Sequence, residues 1–552
     1  MKRITSLFLV ITAILFTGQI DAQENQAIEK GLEAITMESL KAPVKFMSTD
    51  FMEGRAAGER GAYMAADYIA SVFEMYGAAP AGDMEWTQVS REERWNGKRS
   101  EEYQTYFQNF NLVARNREEM EAELLIRMKT KESLQEVKLQ NKVDFVVGAG
   151  KLSTAVEAPL VFVGYGYVNE EHGYDDFKGV DVEDKIIVRL PGYPGHLDTS
   201  SVGYANFHSD QRYFEYYLEN AKNEAAREKG ALAIIELREE LTDAKALAVN
   251  DQLWSNSEAE QPRAPIYSKP LSLPHSEISI DPAEILLSHA AFRLLLPDVT
   301  IEQFERNVAN TLKPASREIK DVAVSYRYEI PSEMVRARNV LAVIEGEIKD
   351  EIIVIGGHYD HLGAADGFVW NGADDNASGT VGVMTLAKAF MATGIQPKRT
   401  IVFAAWTAEE RGLWGSRYFV EHPYGDDISN VVLNINLDMI SKNSMSDSLG
   451  NNAGLVYTAA NSMLEELSEK HIAAEGLNLI MRYRPSESPS GGSDHAPFAQ
   501  KGIPVMFHMG GFPVTYHTPE DGHDDINWEK YRDIVKLVFL NAWHMANEDD
   551  WL

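Results

Sequence analysis

Cysteine is absent from all 552 residues of this chain, which removes thiol nucleophiles, disulfides, thiolate metal sites and a lipidated cysteine together. A metal bound here must sit on His, Asp and Glu. Positive charge is also scarce: 52 Lys plus Arg stand against 84 Asp plus Glu, a formal net charge of -32, and such a chain is repelled by nucleic acid and by anionic membranes. Long apolar runs are missing as well, since no stretch beyond the N-terminus approaches the roughly 20 residues of a membrane helix. Neither a nucleic-acid partner nor a membrane anchor is expected. What remains, 44% hydrophobic and 25% charged, is an ordinary globular composition, and the length calls for two or three domains.

The N-terminus carries Lys2 and Arg3, an apolar run from Leu7 to Phe16 and a small residue at Ala22. This is the layout of a secretory signal peptide over residues 1–22, so export to the periplasm or beyond the cell is expected. Ile28 to Gly77 reads as two helical stretches around the loop Phe51 to Gly58, the second running from Gly61 to Tyr76. Residues 83–108 show no clear period and read as an irregular insertion. From 120 to 325 short strand-like runs alternate with Gly, Asp and Pro turns, with a helix expected over Tyr217 to Lys229. From about 335, apolar runs alternate with helix-length segments, the pattern of an α/β fold whose mostly parallel sheet has helices on both faces. The expected strands are Val340 to Val343, Ile352 to Ile355, Ile401 to Ala405, Val431 to Leu437 and Val505 to His508.

Three of these runs lead into groups that bind metals. His358 and Asp360 follow the second, Glu409 and Glu410 the third, and Asp438 the fourth. In open α/β sheets ligands bind beyond the carboxyl ends of the strands, so these groups are aimed at one crevice. Two loop segments join them, Asn371 to Asn376 before a helix that Ser378 could cap, and Tyr516 to Asp521 near the C-terminus. Singly each is unremarkable: His-x-Asp is commonly a hydrogen-bonded pair, and Asp374-Asp375 commonly a helix cap. Clustered carboxylates and imidazoles in a cysteine-free chain are costly without a cation to neutralise them.

The segments GGHYDHLG (Gly356 to Gly363), NGADDNASG (Asn371 to Gly379), AEERGLWGS (Ala408 to Ser416), NLDM (Asn436 to Met439) and YHTPED (Tyr516 to Asp521) resemble, in order and spacing, the dizinc aminopeptidases of metallopeptidase family 28, which includes bacterial leucyl aminopeptidase and glutamate carboxypeptidase. The resemblance spans nearly all of 335–552, and Phe46 to Gly82 is similar to the family's N-terminal helical segment. Segment 120–325, with VFVGYGY (Val161 to Tyr167) and DDFKGVDVEDKIIV (Asp175 to Val188), resembles the β-rich protease-associated domain that many members insert. The implied division is a signal over 1–22, the N-terminal part of the catalytic domain over 23–119, the protease-associated domain over 120–325 and the catalytic domain over 326–552. Carried over position by position, the resemblance implies that Asp375 bridges two Zn²⁺ ions, with His358 and Asp438 on one and Glu410 and His517 on the other. It also implies that Glu409 is the general base, that Asp360 holds the imidazole of His358, and that Tyr516 donates a hydrogen bond to the tetrahedral intermediate. Asp494 and His495, in SDHAPF, are divided evenly between a pocket-wall and a structural role.

The implied activity is removal of N-terminal residues from peptide substrates. A free α-ammonium suits Glu409 and Asp438, whereas a carboxypeptidase needs an Arg fork, for which Arg482 and Arg484 are candidates. Two more activities compete on this kind of fold: glutaminyl cyclase chemistry on a one-zinc site, and binding without catalysis in a metal-free, receptor-like protein. The inserted module is expected to supply no ligand, its histidines His172, His196 and His208 being scattered singly.

Overall fold

The computed structural model describes residues 24–116, 119–129, 133–148, 153–210, 214–238, 270–274, 282–297, 300–489 and 491–551. The expected signal peptide lies outside the described residues. Among the described residues no helix is long and apolar enough to cross a membrane.

Ten strands form the larger sheet: β1 Ala79–Pro80, β2 Phe107–Arg115, β3 Leu271–Ser272, β4 Ser332–Ile344, β5 Ile348–His358, β6 Arg399–Trp406, β7 Val431–Leu437, β8 Asn452–Thr458, β9 Ile480–Ser486 and β10 Val505–Met509. Their spatial order is β3-β2-β4-β6-β5-β7-β10-β8-β9, with β1 on β4. The centre, β6-β5-β7-β10, is parallel and holds four of the five expected strands, while the fifth, Val340 to Val343, lies in β4. The flanks are antiparallel where β4 meets β6 and β2, and where β8 meets β10. The sheet as a whole is therefore mixed, with its parallel part centred on the middle strands. All eight residues of β6 are buried, as a central strand covered on both faces requires.

On one face pack helices Met37–Met47, Arg60–Tyr76, Gly379–Thr393 and Trp528–Asn547 around Val381, Leu386, Phe403 and Phe539. On the other, Trp414–Glu421 and Ala496–Gln500 bring Phe419 and Phe498 onto Trp406. The N-terminal part holds three helices rather than two: residues 24–34 are helical, and Thr36 opens the next helix through a capping box with Ser39. Residues 83–108 are not wholly irregular. Met84–Trp86 and Glu102–Gln104 pair as a hairpin around a short helix, and Phe107 and Gln108 already belong to β2.

A second, eight-stranded sheet runs from Glu121–Lys129 to Arg317–Glu329 in chain order and encloses its own core, including Phe145, Val188, Ile235 and Tyr326. Its last strand ends at Glu329, beyond the expected boundary at 325. The expected helix is there as Phe214–Glu228. One piece of this region leaves it: β3 pairs with β2 of the larger sheet.

Candidate metal centre

The candidate residues gather at the carboxyl ends of the central strands. His358 is the last residue of β5, Glu409 and Glu410 lie three and four residues beyond β6, and Asp438 follows β7 directly. Asp375 comes from the turn before helix Gly379–Thr393. Gly372 holds that turn with φ +54, where an added Cβ would lie 2.2 Å from Asp375 O and 2.5 Å from the His361 ring. Ser378 does not cap the helix: it is itself helical, and its hydroxyl donates to Asp374 O and accepts from Ile440 N.

Asp375 stands between two imidazoles. Its Oδ1 is 3.4 Å from His358 Nε2 and its Oδ2 is 3.1 Å from His517 Nε2. On the His358 side Asp438 Oδ1 lies 3.3 Å from Nε2, and on the His517 side Glu410 Oε2 lies 3.2 Å from Nε2. Glu409 Oε2 is set back, 3.9 Å from His358 Nε2. Donor atoms of His358, Asp375 and Glu410, and those of His358, Glu409 and Asp438, lie within 4.8 Å of one another. Tyr516 stacks on the His517 ring at 3.8 Å.

Asp360 differs from expectation. The chain leaves β5 at His358, so Asp360 is not held in the extended register in which residues two apart share one side of a strand. The imidazole Nδ1 is 3.2 Å from the Asp360 carbonyl oxygen and 3.9 Å from its carboxylate, which instead accepts the Glu409 backbone N–H at 3.1 Å. Asp360 thus tethers the Glu409 loop, and its carbonyl receives the imidazole.

His361, Ser493 and Asp521 join the site although the sequence did not assign them a role. His361 Nδ1 is 2.7 Å from Glu410 Oε1; its one signal is a second histidine three residues after the first. Ser493 donates to Asp438 Oδ2 at 2.7 Å and accepts from Asn436 Nδ2 at 2.8 Å. Asp521 accepts the backbone N–H groups of Asp374 and Asp375 at 3.1 and 3.0 Å and pairs with buried Lys442 at 3.0 Å. Asp494 and His495 are both buried. Asp494 accepts from the Ser416 hydroxyl at 2.5 Å, while His495 stacks on Phe507 at 4.4 Å. Arg482 and Arg484, the candidates for a carboxylate fork, lie on β9, the edge strand of the larger sheet.

The electrostatics show what this cluster demands. Burial alone would lower the imidazoles, yet the surrounding carboxylates hold His358 well above the ordinary histidine range and raise His517 to about 10. Burial raises Glu409 well above the ordinary carboxylate range, and Glu410, Asp494 and Asp438 add to it against the pull of His358. Burial likewise pushes Asp360 and Asp494 up to about 7. Asp438 Oδ1, buried, meets no hydrogen-bond donor in good geometry. Imidazole and carboxylate donors in surplus, with a buried carboxylate oxygen among them that no hydrogen bond satisfies, fit divalent cations of the zinc type. A cleft of about 590 Å³ lies elsewhere: Asp83, Lys349, Thr400, Tyr418 and Tyr424 line it at the amino ends of β5 and β6.

Residues 339–542 match the model of Peptidase family M28. Leucine aminopeptidase 2 of Trichophyton equinum is 31% identical over 186 residues, 33% of this chain and 35% of that protein. Glutamate carboxypeptidase 2 homolog of Caenorhabditis briggsae is 32% identical over 234 residues, 39% of this chain and 28% of that protein. The chain thus matches about a third of the length of these relatives. Among solved structures, an aminopeptidase from Aneurinibacillus sp. strain AM-1 shares the fold, with a TM-score of 0.51 at 18% identity over 95% of this chain and 97% of that one. The mixed sheet with candidate metal-binding residues at its parallel carboxyl ends lies within the stretch that matches the model of Peptidase family M28.

Proposed function

We propose that this chain is an exported, metal-dependent aminopeptidase that removes residues from the N-terminus of peptides, with two Zn²⁺ ions per chain. The observation that carries the reading is Asp375, whose two oxygens face two different imidazoles, 3.4 and 3.1 Å away. In this reading His358, Asp375 and Asp438 hold one ion, and Asp375, Glu410 and His517 the other. What such a pair supplies when bound is a water acidified toward neutrality and a polarised carbonyl. Glu409, close to this cluster and set back from His358, takes the proton of the attacking water at its carboxylate and passes it to the leaving amine. Its raised affinity for protons, from burial and neighbouring carboxylates, suits that task. Tyr516, stacked on His517, donates its hydroxyl to the oxyanion in this reading.

Direction follows from charge. An α-ammonium finds acceptors in Glu409 and Asp438. The arginines weighed as a carboxylate fork, Arg482 and Arg484, stand on the outermost strand. The second sheet is read as the protease-associated domain, shaping access without supplying ligands. Two peptides identical except for N-terminal acetylation, followed by mass spectrometry, test the reading. Stepwise loss from the free N-terminus with protection of the acetylated partner is expected; equal cleavage of both, or ladders from the C-terminus, would overturn it.

A further inference from the structure

Arg55 is fully buried, and among the described residues its guanidinium makes none of the contacts with carboxylates that buried arginines usually need. Its four hydrogen bonds all go to main-chain carbonyls. Nε donates to Tyr359 O at 2.8 Å, Nη1 to Met47 O at 2.5 Å and Asn371 O at 2.7 Å, and Nη2 to Gly372 O at 2.8 Å. Tyr359 is the residue between His358 and Asp360, and Asn371-Gly372 begins the turn that ends in Asp375. One planar fork therefore ties together the strand end that carries one imidazole and the turn that carries the shared carboxylate, and fastens both to the C-terminal turn of helix Met37–Met47. The Arg55 carbonyl adds a fifth tie by accepting the His361 N–H at 3.1 Å.

The local backbone is shaped for this insertion. Arg55 and Gly54 both have positive φ, 47 and 61, and a Cβ on Gly54 would lie 2.2 Å from Gly363 O and 2.7 Å from Trp370 O. The segment before helix Arg60–Tyr76 is thus pressed against both site loops, where a side chain at 54 has no room. Asp521 and Lys442 grip the same turn from its other end, through the N–H groups of Asp374 and Asp375.

We propose that Arg55 is a positioning residue for the metal centre: its fork sets the spacing between His358 and Asp375 before any cation arrives. The proposal rests on the metal-binding reading above. Charge and geometry predict opposite signs for its removal, which makes the role testable. Arg55 is a cation beside a cation site, so as a point charge it weakens metal binding, and deleting it would tighten binding. As a fork it pre-arranges two ligands, and deleting it loosens binding. Disturbing groups that orient metal ligands typically costs about 10- to 100-fold in metal affinity.

The test compares wild type, Arg55→Lys and Arg55→Met for Zn²⁺ affinity by chelator competition, and for melting temperature of the chelated proteins. Lysine keeps the charge but cannot span the carbonyls. The proposal expects both variants to bind Zn²⁺ about 10- to 100-fold more weakly, by more than any fall in melting temperature accounts for. Unchanged affinity in both, or tighter binding by Arg55→Met, would overturn it. Failure of both variants to fold would assign Arg55 to the fold rather than to the site, and would overturn it too. A wild type that binds no Zn²⁺ rejects the metal-centre reading itself, a different outcome from equal binding by wild type and variants.

Discussion

Two clusters of buried charged side chains in this molecule solve the same problem differently. Between the second sheet and helix Phe214–Glu228, Arg189, Lys222 and Glu236 are all fully buried, and Glu219, Glu284 and Arg238 complete a set of three cations and three carboxylates. Arg189 reaches Glu236 at 2.6 Å, Glu219 at 3.1 Å and Glu284 at 3.5 Å, while Lys222 reaches Glu219 at 3.1 Å and Arg238 reaches Glu236 at 2.8 Å. Each charge has its opposite beside it. At the carboxyl ends of β5, β6 and β7 the count does not close. Asp375, Glu409, Glu410 and Asp438 face imidazoles rather than permanent cations, and Lys442 and Arg55, the buried cations nearby, are engaged by Asp521 and by carbonyls. A cluster that neutralises itself is complete as folded, whereas one with surplus carboxylate is finished by a cation from outside. The protonation tendencies are mixed in both. Arg189, Lys222 and Arg238 outweigh the burial of Glu236 and pull it down to about 2, while burial raises Glu284; at the strand ends the imidazoles outweigh burial and hold Glu410 at about 2, while burial and its neighbours drive Glu409 upward.

The largest effect is expected where the charge is unbalanced. Glu409→Gln should keep fold and metal but lose about 100- to 10,000-fold in turnover, the usual range for removing a general base. Metal content and rate are measured on the same sample, with chelated wild type as the inactive reference. A variant with near-normal rate, or one whose loss is explained by missing metal, removes Glu409 from the role.

Breaking the balanced cluster should instead cost stability and leave the metal alone. Glu236→Gln takes one carboxylate from the set and leaves Arg189 and Lys222 to Glu219 and Glu284, and breaking a buried pair costs about 3–5 kcal/mol. The pH dependence has a definite sign. Glu236 is depressed in the folded state from 4.5 to about 2, so its contribution is fully present above about 4.5 and is lost as pH falls toward about 2. Denaturant melts should therefore show wild type and variant converging through that acidic window, by on the order of 3 kcal/mol. A gap that stays constant with pH would mean that packing, not charge, holds this cluster.

The contrast also explains what the sequence disclosed. The candidate ligands were legible because each one follows an apolar run or sits in a short polar loop, so chain order alone aims them at one crevice. The central strands were legible for the same reason, being continuous runs buried on both sides. The flanks were not. In β2 a buried Gln108 interrupts the alternation of Phe110 and Leu112, and β8 and β9 mix apolar with Asn, Gly and Arg residues. Nor could pattern show that Asp360 turns its carboxylate to the Glu409 N–H, or that Arg55, Ser493 and Asp521 reach the site. Those facts depend on bonds between residues tens to hundreds of positions apart. The balanced cluster was equally hidden, because Arg189, Lys222 and Glu236 sit in runs that look like any strand or helix carrying a surface charge.

The two regions touch through β3, and that contact should be worth little. Trp414 Nε1 donates to Leu271 O at 2.8 Å, and Leu271 and Leu273 pack with Ala408, the residue before Glu409. Trp414→Phe removes one hydrogen bond and should lower stability by about 1 kcal/mol, read by denaturant melts, with metal content unchanged. A large loss of turnover without loss of stability would show that the second region positions the Glu409 loop.

The smallest effect is expected from the histidines of the second region, and it tests the division most directly. His172 is exposed, with Nδ1 3.1 Å from Asn169 Oδ1. His196 Nδ1 lies 2.8 Å from Tyr193 O, and His208 sits between the Tyr193 hydroxyl at 2.9 Å and Asp210 at 3.0 Å. A structural or catalytic zinc needs three or four protein donors. Among the described residues, both groups of three His and carboxylate donors lie at the larger sheet. Replacing each of the three histidines with Ala should leave metal per chain where it is in wild type and shift the thermal melt little, as surface substitutions away from special features do. Metal analysis of the three variants after gel filtration is the measurement. If any one of them lost stoichiometric metal, the second sheet would be supplying a ligand, and the separation of a self-neutralised cluster from a cation-requiring one would no longer describe this protein.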